Sequence, residues 1–102
     1  RVRAKYILRG KDVLNGAQYS DAVTDAYYPV DIHVAGASGL NATQISRPYQ
    51  IPARALISRD LNNLFAAGRC LSCDSTAFAS ARVTPIAMAL GEAAGKLAAA
   101  RL

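Results

Sequence analysis

The pattern of apolar and polar positions predicts short extended segments along most of the chain and one long helix at its end. Residues 2–9 alternate between the two classes and are predicted as a strand, whereas the continuous apolar run at 64–68 predicts a short buried strand. Two prolines within 47–58 predict that this segment is extended and then turns, because proline cannot donate a ladder hydrogen bond. The other predicted elements are a helical turn at 11–16 closed by Gly16, a short turn or helix at 20–26 capped by Ser20 or Asp21, an extended segment at 27–34, a loop at 35–44 and a polar loop before the final helix.

The final helix has the clearest pattern. Thr84 is predicted as its N-cap and Pro85 as its first helical residue, where the missing N–H costs nothing. Gly91 and Gly95 recur on one stripe of small residues. Because glycine inside a helix costs about 1 kcal/mol relative to alanine, two glycines on one stripe predict that another backbone passes close by. We therefore expect a single helix over 85–100 whose Gly91–Gly95 face is buried.

The start of this helix is a candidate site for negative charge. Its first turn offers the backbone amides of Ile86 and Ala87, and no Asp or Glu side chain is near in the sequence. Such an end favours a phosphate, a carboxylate or a polarised carbonyl. The alternative is that water and the Thr84 hydroxyl satisfy the amides, and periodicity does not decide between the two.

Composition places the chain among ordinary globular proteins. Its 102 residues are 52% apolar and 19% charged, which suffices for one modest core. The most apolar stretch, 83–102, contains Glu92, Lys96 and Arg101, so we expect no membrane span. The chain does not begin with Met and its first residues already predict a strand, so we expect it to be a piece of a longer protein.

The net charge of +5 is compatible with an anionic partner. Arg1, Arg3 and Lys5 would share one face of the opening strand, and with Arg9 they suggest a small basic binding module as an alternative function. A solvated or domain-facing strand explains the same charges. No RNA-binding motif or helix-turn-helix pattern accompanies them, so we expect no nucleic acid partner.

A structural zinc site needs four ligands. Apart from Met88, the soft metal ligands in this sequence are Cys70, Cys73 and His33. We therefore expect no metal and two free thiols in a reducing, cytoplasmic compartment. His33 and Asp31 would share a face of an extended segment, which makes His33 a weak catalytic candidate. The G-x-G-x-x-G dinucleotide fingerprint is absent, and the motifs compose no complete active site.

Two stretches of the sequence nevertheless resemble a known protein family: "NNLFAAGRCLS" and, after a short loop, "SARVTPIAMALGEAAG". Together they resemble the closing segment of bacterial FAD-dependent oxidoreductases, a flavoprotein family loosely related to fumarate reductases. Upstream, "YILRGKDVLNG", "YYPVDIH" and "YQIPARALIS" resemble family segments in the same order. Glu92 stands where the family usually has glutamine, and Cys73 where it usually has a small residue.

The resemblance implies that the final helix directs its N-terminus at the pyrimidine edge of the FAD isoalloxazine. Reduction places negative charge on that edge, and free amides stabilise it. Gly68 would let the backbone approach the cofactor, and Arg69 and Arg82 would be cations on the flavin or substrate side. Arg82 is also a weak catalytic candidate. The implied cofactor-binding residues are Gly68, Arg69, Ser72, Asp74, Arg82, Pro85, Ile86 and Ala87.

The resemblance also implies a division of the chain. Residues 1–61 would end a substrate domain, and 62–102 would supply the closing strand and long helix of an FAD-binding α/β domain, which makes the piece α+β. Its partners would be the rest of the parent chain, which grips the ADP half of FAD, and a small-molecule substrate. Alone, the fragment is expected to be inactive, to lack FAD and to associate into a dimer or larger assembly.

Overall fold

A computed structural model of the chain describes residues 2–32, 41–43, 45 and 47–100. The elements in chain order are helix α1 (Gly10–Leu14), strands β1 (Ala22–Ala26), β2 (Val30–Ile32), β3 (Asn41–Thr43) and β4 (Tyr49–Pro52), and helices α2 (Ser75–Ala81) and α3 (Thr84–Ala100). Two 3₁₀ turns, Ala53–Ala55 and Gly68–Cys70, lie between β4 and α2. This mixture confirms the predicted α+β class. Within the described ranges, no helix is long and apolar enough to cross a membrane.

The N-terminal segment forms no regular strand, so the prediction of a strand at 2–9 is wrong. Ala4 forms a single bridge with Ser58, and Leu8 forms another with Cys73. The Leu8 amide donates to the Ser72 carbonyl at 3.0 Å, whereas the Lys5 amide turns to the Ile57 carbonyl at 3.0 Å. The segment lies between two partners and alternates between them, which interrupts any continuous ladder.

β1 corrects the prediction of a turn or helix at 20–26. It pairs antiparallel with β4, with Ala22 opposite Pro52 and an irregularity before Thr24. Asp21, expected to cap a helix, accepts hydrogen bonds from the Arg54 guanidinium and backbone instead. Pairing with a strand far along the chain, with Ala26 opposite Tyr49 at one end, outweighs the weak local helix signal.

β2 and β3 form the second two-stranded sheet. They run antiparallel, with Val30 opposite Thr43. The extended prediction for 27–34 is confirmed at β2, whereas Asn41–Thr43 is a strand within the predicted loop 35–44. The rest of that loop, residues 35–40 and 44, lies outside the described residues, as does His33.

Helix α2 occupies the segment that was predicted as a polar loop. The Asp74 carboxylate accepts the Ala77 amide at 2.8 Å, the usual N-cap geometry. Ala77 and Ala79 are buried, so the helix packs through small side chains. The apolar run at 64–68 contains only one bridge, between Phe65 and Ile57, so the predicted strand there is also wrong.

One hydrophobic cluster joins residues from both halves of the chain. Its largest fully buried apolar members include Leu8 and Tyr49 from the first half and Leu71 and Leu90 from the second. The core therefore passes across the predicted boundary between 61 and 62. The assignment of the two parts to separate domains of a larger protein stays a prediction.

Helix α3 confirms the predicted element, but its buried face is a different one. Ile86 and Leu90 are buried, with Leu97 packed against the core, whereas Gly91 and Gly95 face solvent. A Cβ atom added at either glycine would meet no atom within 4 Å. The packing prediction for the Gly91–Gly95 face is therefore wrong in this chain. The helix turns its larger apolar side chains inward because they remove more apolar surface from water.

Gly10 and Gly91 differ in the space available for a side chain. A Cβ on Gly10 would come within 2.6 Å of the Thr76 Cβ and Cγ2 atoms, where α1 packs on α2. We expect Gly10→Ala to lower the free energy of unfolding by about 1–3 kcal/mol through overpacking. We expect Gly91→Ala to raise it by up to about 1 kcal/mol, because alanine suits an open helical position. Urea unfolding followed by circular dichroism measures both. A loss of stability in Gly91→Ala would show that this face is packed after all.

Tyr49 is the largest side chain in the core and keeps its hydroxyl paired. Its Oη lies 2.8 Å from Ser80 Oγ, and Ser80 in turn donates to the Tyr28 carbonyl at 2.7 Å. Since the Ser80 proton is used there, Tyr49 is the donor of the pair. Burial raises the pKa of the Tyr49 phenol above its usual value.

We expect Tyr49→Phe to lower the free energy of unfolding at neutral pH by about 1 kcal/mol, since Ser80 loses a donor. Because the pKa of Tyr49 is higher in the folded than in the unfolded state, its protonated hydroxyl contributes its full stability at pH values below about 10, the pKa of an unfolded tyrosine. This contribution is lost as the pH rises towards and through the folded-state pKa. The variant should therefore lose less stability between neutral and alkaline pH than the wild type. Denaturant titrations at several pH values measure this, with the exposed Tyr27→Phe as control. Equal alkaline losses would contradict the assignment.

Candidate functional site

The Gly68–Cys70 turn begins with Gly68, which was expected to let the backbone approach the cofactor. Gly68 has a φ of +75°, a conformation that side chains with a Cβ rarely adopt. The space around it is open, since an added Cβ would meet nothing within 4 Å. Backbone conformation, rather than crowding inside this chain, therefore requires the glycine, and its surface is open to a ligand.

Arg69 and Arg82 line the same cavity. Together with Phe78 they line a space of about 290 Å³. Arg69 belongs to the Gly68–Cys70 turn, whereas Phe78 lies in α2 and Arg82 directly follows that helix. Among the described lining residues none is acidic. The structure thus brings together two of the predicted cations and adds an aromatic ring that sequence analysis did not select.

The start of α3 partly matches its predicted form. The helix begins at Thr84, so Thr84 is its first residue rather than its N-cap, and no acidic residue lies in the first turn. The Ala87 amide donates to the Val83 carbonyl at 2.9 Å, which corrects the prediction that this amide is available to a ligand. Pro85 has no N–H. The Ile86 amide therefore remains the candidate donor at this end.

Ser72 and Asp74, two of the implied cofactor-binding residues, have structural partners. The buried Ser72 Oγ accepts the Ala4 amide at 3.3 Å. Asp74 Oδ1 caps α2, and Asp74 Oδ2 accepts the Gly10 amide at 3.0 Å. Both residues hold the fold together in this chain, and a cofactor role for them stays a prediction.

The two cysteines form no disulfide and lie in different environments. Cys70 is exposed and lies 3.2 Å from the Ala67 carbonyl, whereas Cys73 is buried. No group of three potential metal ligands occurs in the described part of the chain. The predicted absence of a metal stays a prediction.

Among the basic residues of the alternative binding module, Arg3 and Arg9 line different pockets. Arg3, Lys5 and Arg9 are exposed, and Arg1 lies outside the described residues. His33, the other weak catalytic candidate, also lies outside them.

A polar cluster that sequence analysis missed joins three distant segments. The Arg54 guanidinium pairs with Asp21 at 2.9 Å and lies over the rings of Tyr6 and Tyr19, at 5.2 and 5.9 Å from their centroids. The Tyr6 hydroxyl donates to Asp12 at 2.7 Å. Burial raises the pKa of both tyrosines, and the Arg54 hydrogen bond lowers the pKa of Asp21. No single segment contains the pattern, so only the tertiary structure reveals it.

Comparison with known families identifies the chain. The family model described as FAD dependent oxidoreductase matches residues 1–102, so the chain belongs to the FAD-dependent oxidoreductase family. This confirms the resemblance seen in 64–95 and in the upstream segments. Comparison with curated proteins and with solved structures gave no match. Bacterial origin and a relation to fumarate reductases stay predictions.

The structural role of Asp74 gives a direct prediction. Asp74→Ala removes the α2 cap and the partner of the Gly10 amide, so we expect it to lower the free energy of unfolding by about 2 kcal/mol. Asp60→Ala is the matched control, because the Asp60 side chain forms an exposed pair with Arg59 and its removal should change stability by less than about 0.5 kcal/mol. Thermal or urea unfolding measures the difference. Equal effects of the two substitutions would contradict the proposed role of Asp74.

Proposed function

We propose that this chain forms the flavin-ring side of the cofactor site in an FAD-dependent oxidoreductase. Family membership supplies the cofactor class. The assignment rests on the start of helix α3. This 17-residue helix has no acidic residue in its first turn, and it begins close in sequence to Arg82, which lines the cavity together with Arg69. The Gly68–Cys70 turn packs against the same helix.

The residues present fit the electron-rich edge of a flavin. When bound, the flavin supplies hydride-transfer chemistry at its N5 atom. The Ile86 amide at the positive end of α3 would donate to the pyrimidine edge, where reduction increases negative charge. Gly68 would allow close approach of the backbone, because the space around it is open. Arg69 and Arg82 add positive charge at the cavity.

The other half of the cofactor requires residues of another kind. The sequence has no G-x-G-x-x-G, the glycine-rich turn that grips a dinucleotide pyrophosphate. We therefore propose that other parts of the complete protein hold the ADP half, and that this chain by itself retains FAD weakly.

The exposed face of α3 is the proposed contact for those other parts. Met88 is 70% exposed, and Gly91 and Gly95 lie along the same side of the helix with open space around them. Glycines permit close backbone approach, so this face suits a neighbouring segment of the complete protein. In its absence, the same face would favour self-association of the chain.

The complete protein that contains this sequence should show the visible absorption bands of oxidised flavin after purification. Thr84→Asp places a carboxylate in the first turn of α3, and we expect it to lower the reduction potential of the bound flavin, because negative charge there opposes the charge gained on reduction. A redox titration monitored by flavin absorbance measures the shift. The substitution suits a helix start, so thermal stability should be unchanged or slightly higher.

Two controls isolate the position of the charge. Thr84→Asn has a similar shape without charge, and Ala99→Asp adds the charge near the far end of the helix. Both should leave the potential close to that of the wild type. A complete protein without flavin would contradict the proposed function, and equal potentials in Thr84→Asp and Thr84→Asn would contradict the placement of the helix start.

A further inference from the structure

We propose that Asn15 is a site of spontaneous deamidation in the complete protein, and that the Arg47 side chain slows the reaction by holding the peptide group between Asn15 and Gly16 in place. The site lies at the end of helix α1 and does not depend on the proposed cofactor site. The chemistry requires only water and hydroxide as co-reactants.

The reaction is an intramolecular substitution at the side-chain amide of Asn15. The Gly16 backbone nitrogen loses its proton to hydroxide and attacks Asn15 Cγ, so an N–Cγ bond forms and the Cγ–Nδ2 bond breaks. The leaving nitrogen takes a proton from water and departs as ammonia, and a cyclic succinimide remains. Water then opens the ring at either carbonyl, which gives aspartate or isoaspartate at position 15.

Two features favour the reaction at Asn15. The side chain is exposed, so water and hydroxide reach its amide. The next residue, Gly16, has no Cβ to hinder the approach of its backbone nitrogen. Asn63 is also exposed, but it precedes Leu64 and therefore lacks the second feature.

The folded conformation of Asn15 keeps the two reacting atoms apart. Asn15 is the C-cap of α1, with φ −92° and ψ −2°. Ring closure requires a rotation about ψ of roughly a third of a turn, which carries the residue out of the allowed right-handed helical region. Because the peptide group is planar, that rotation moves the Asn15 carbonyl and the Gly16 amide together.

Hydrogen bonds to both ends of this peptide group oppose the rotation. The Arg47 guanidinium donates to the Asn15 carbonyl from Nε at 3.0 Å and from Nη2 at 2.6 Å. The Gly16 amide donates to the Val13 carbonyl at 3.3 Å. Arg47 also covers Gly16, where an added Cβ would lie 2.5 Å from Arg47 Cγ. Arg47 is therefore a positioning residue that keeps the Gly16 nitrogen away from Asn15 Cγ.

The contact between Arg47 and Asn15 can open without unfolding of the core. Both side chains are exposed, and they come from segments 32 positions apart. Surface hydrogen bonds of this kind open locally at a lower free energy than global unfolding requires. The rate of deamidation then follows the fraction of molecules in which this contact is open.

The two products differ in their effect on the fold. Isoaspartate adds a methylene group to the backbone directly after α1. The Ala17 amide, which donates to the Asp12 carbonyl at 2.9 Å, would be displaced by it. We therefore expect the isoaspartate form to have a lower thermal midpoint than the aspartate form, which keeps the length of the backbone.

The test uses the complete protein in mildly alkaline buffer, where the Gly16 amide loses its proton more readily. A protease that cleaves before aspartate releases residues 12–20, because Asp12 and Asp21 lie at the two cleavage points. Mass spectrometry then measures the unmodified peptide, the isoaspartate peptide and the shorter peptides that an aspartate at position 15 produces. The same digest reports on Asn63 as an internal control.

The test variants are Arg47→Gln, which removes the guanidinium, and Arg47→Lys, which keeps the charge without the planar fork. Arg59→Gln is the matched control, because Arg59 is an exposed arginine in a surface ion pair. Tyr49→Phe is the control for global stability, since the Tyr49 hydroxyl bonds to Ser80 and not to Asn15. Thermal unfolding verifies that each variant is folded.

We expect the wild-type protein to deamidate at Asn15 more slowly than a synthetic peptide of residues 12–20, in which no arginine holds the carbonyl. Arg47→Gln should raise the rate in the protein about threefold or more, because hydrogen bonds from a charged group are lost. Arg47→Lys should raise it less, and Arg59→Gln and Tyr49→Phe should stay close to the wild-type rate. In Arg47→Gln, Asn63 should be modified more slowly than Asn15.

An unmodified Asn15 in both the wild-type protein and Arg47→Gln would overturn the proposed site. Equal rates in Arg47→Gln and Arg59→Gln, or in the wild-type protein and the synthetic peptide, would overturn the protective role of Arg47. Equal acceleration by Arg47→Gln and Tyr49→Phe would overturn it too, because the reaction would then follow global unfolding. The flavin absorbance of the complete protein tests the proposed function separately.

Discussion

The carboxylate of Asp74 joins parts of the chain that lie 64 positions apart, and the candidate site depends on that junction. One oxygen accepts the Gly10 amide at the start of α1, and the other caps α2. The Asp74 backbone amide adds a bond to the Leu8 carbonyl at 2.9 Å. These three hydrogen bonds fix α2 against the N-terminal segment, and Gly10 is a glycine because Thr76 of α2 leaves no room for a Cβ.

The position of α2 in turn sets the geometry of the arginine-lined cavity. Phe78 lies one turn along this helix from its cap, and Arg82 follows its last residue. Arg69 enters from the Gly68–Cys70 turn, whose positive φ at Gly68 redirects the chain. The cap of α2 and the turn at Gly68 thus place two arginines at one cavity. The structural roles of Asp74 and Ser72 serve the site without requiring them to contact a ligand.

Local signals in the sequence predicted those elements whose causes are local. The length of α3 and the turn at Gly16, with its φ of +64°, follow from short-range patterns. The strand β1 does not, because its pairing partner β4 lies far along the chain. The polar residues around α2 also favour loops, and only the Asp74 cap and the packing of its alanines select a helix. For α3, the stripe of small residues suggested one face, but burial of Ile86 and Leu90 determined another.

The site was predictable only through family resemblance. That resemblance selected Gly68, Arg69 and Arg82, which the structure places at the turn and the cavity, but Phe78 has no motif and was missed. The central claim is that the start of α3 faces the flavin, and a crystal structure of the complete protein with bound FAD tests it most directly. The account predicts the Ile86 amide nitrogen within roughly 2.7–3.2 Å of an acceptor on the pyrimidine edge of the flavin. An isoalloxazine ring bound away from this helix start would contradict it.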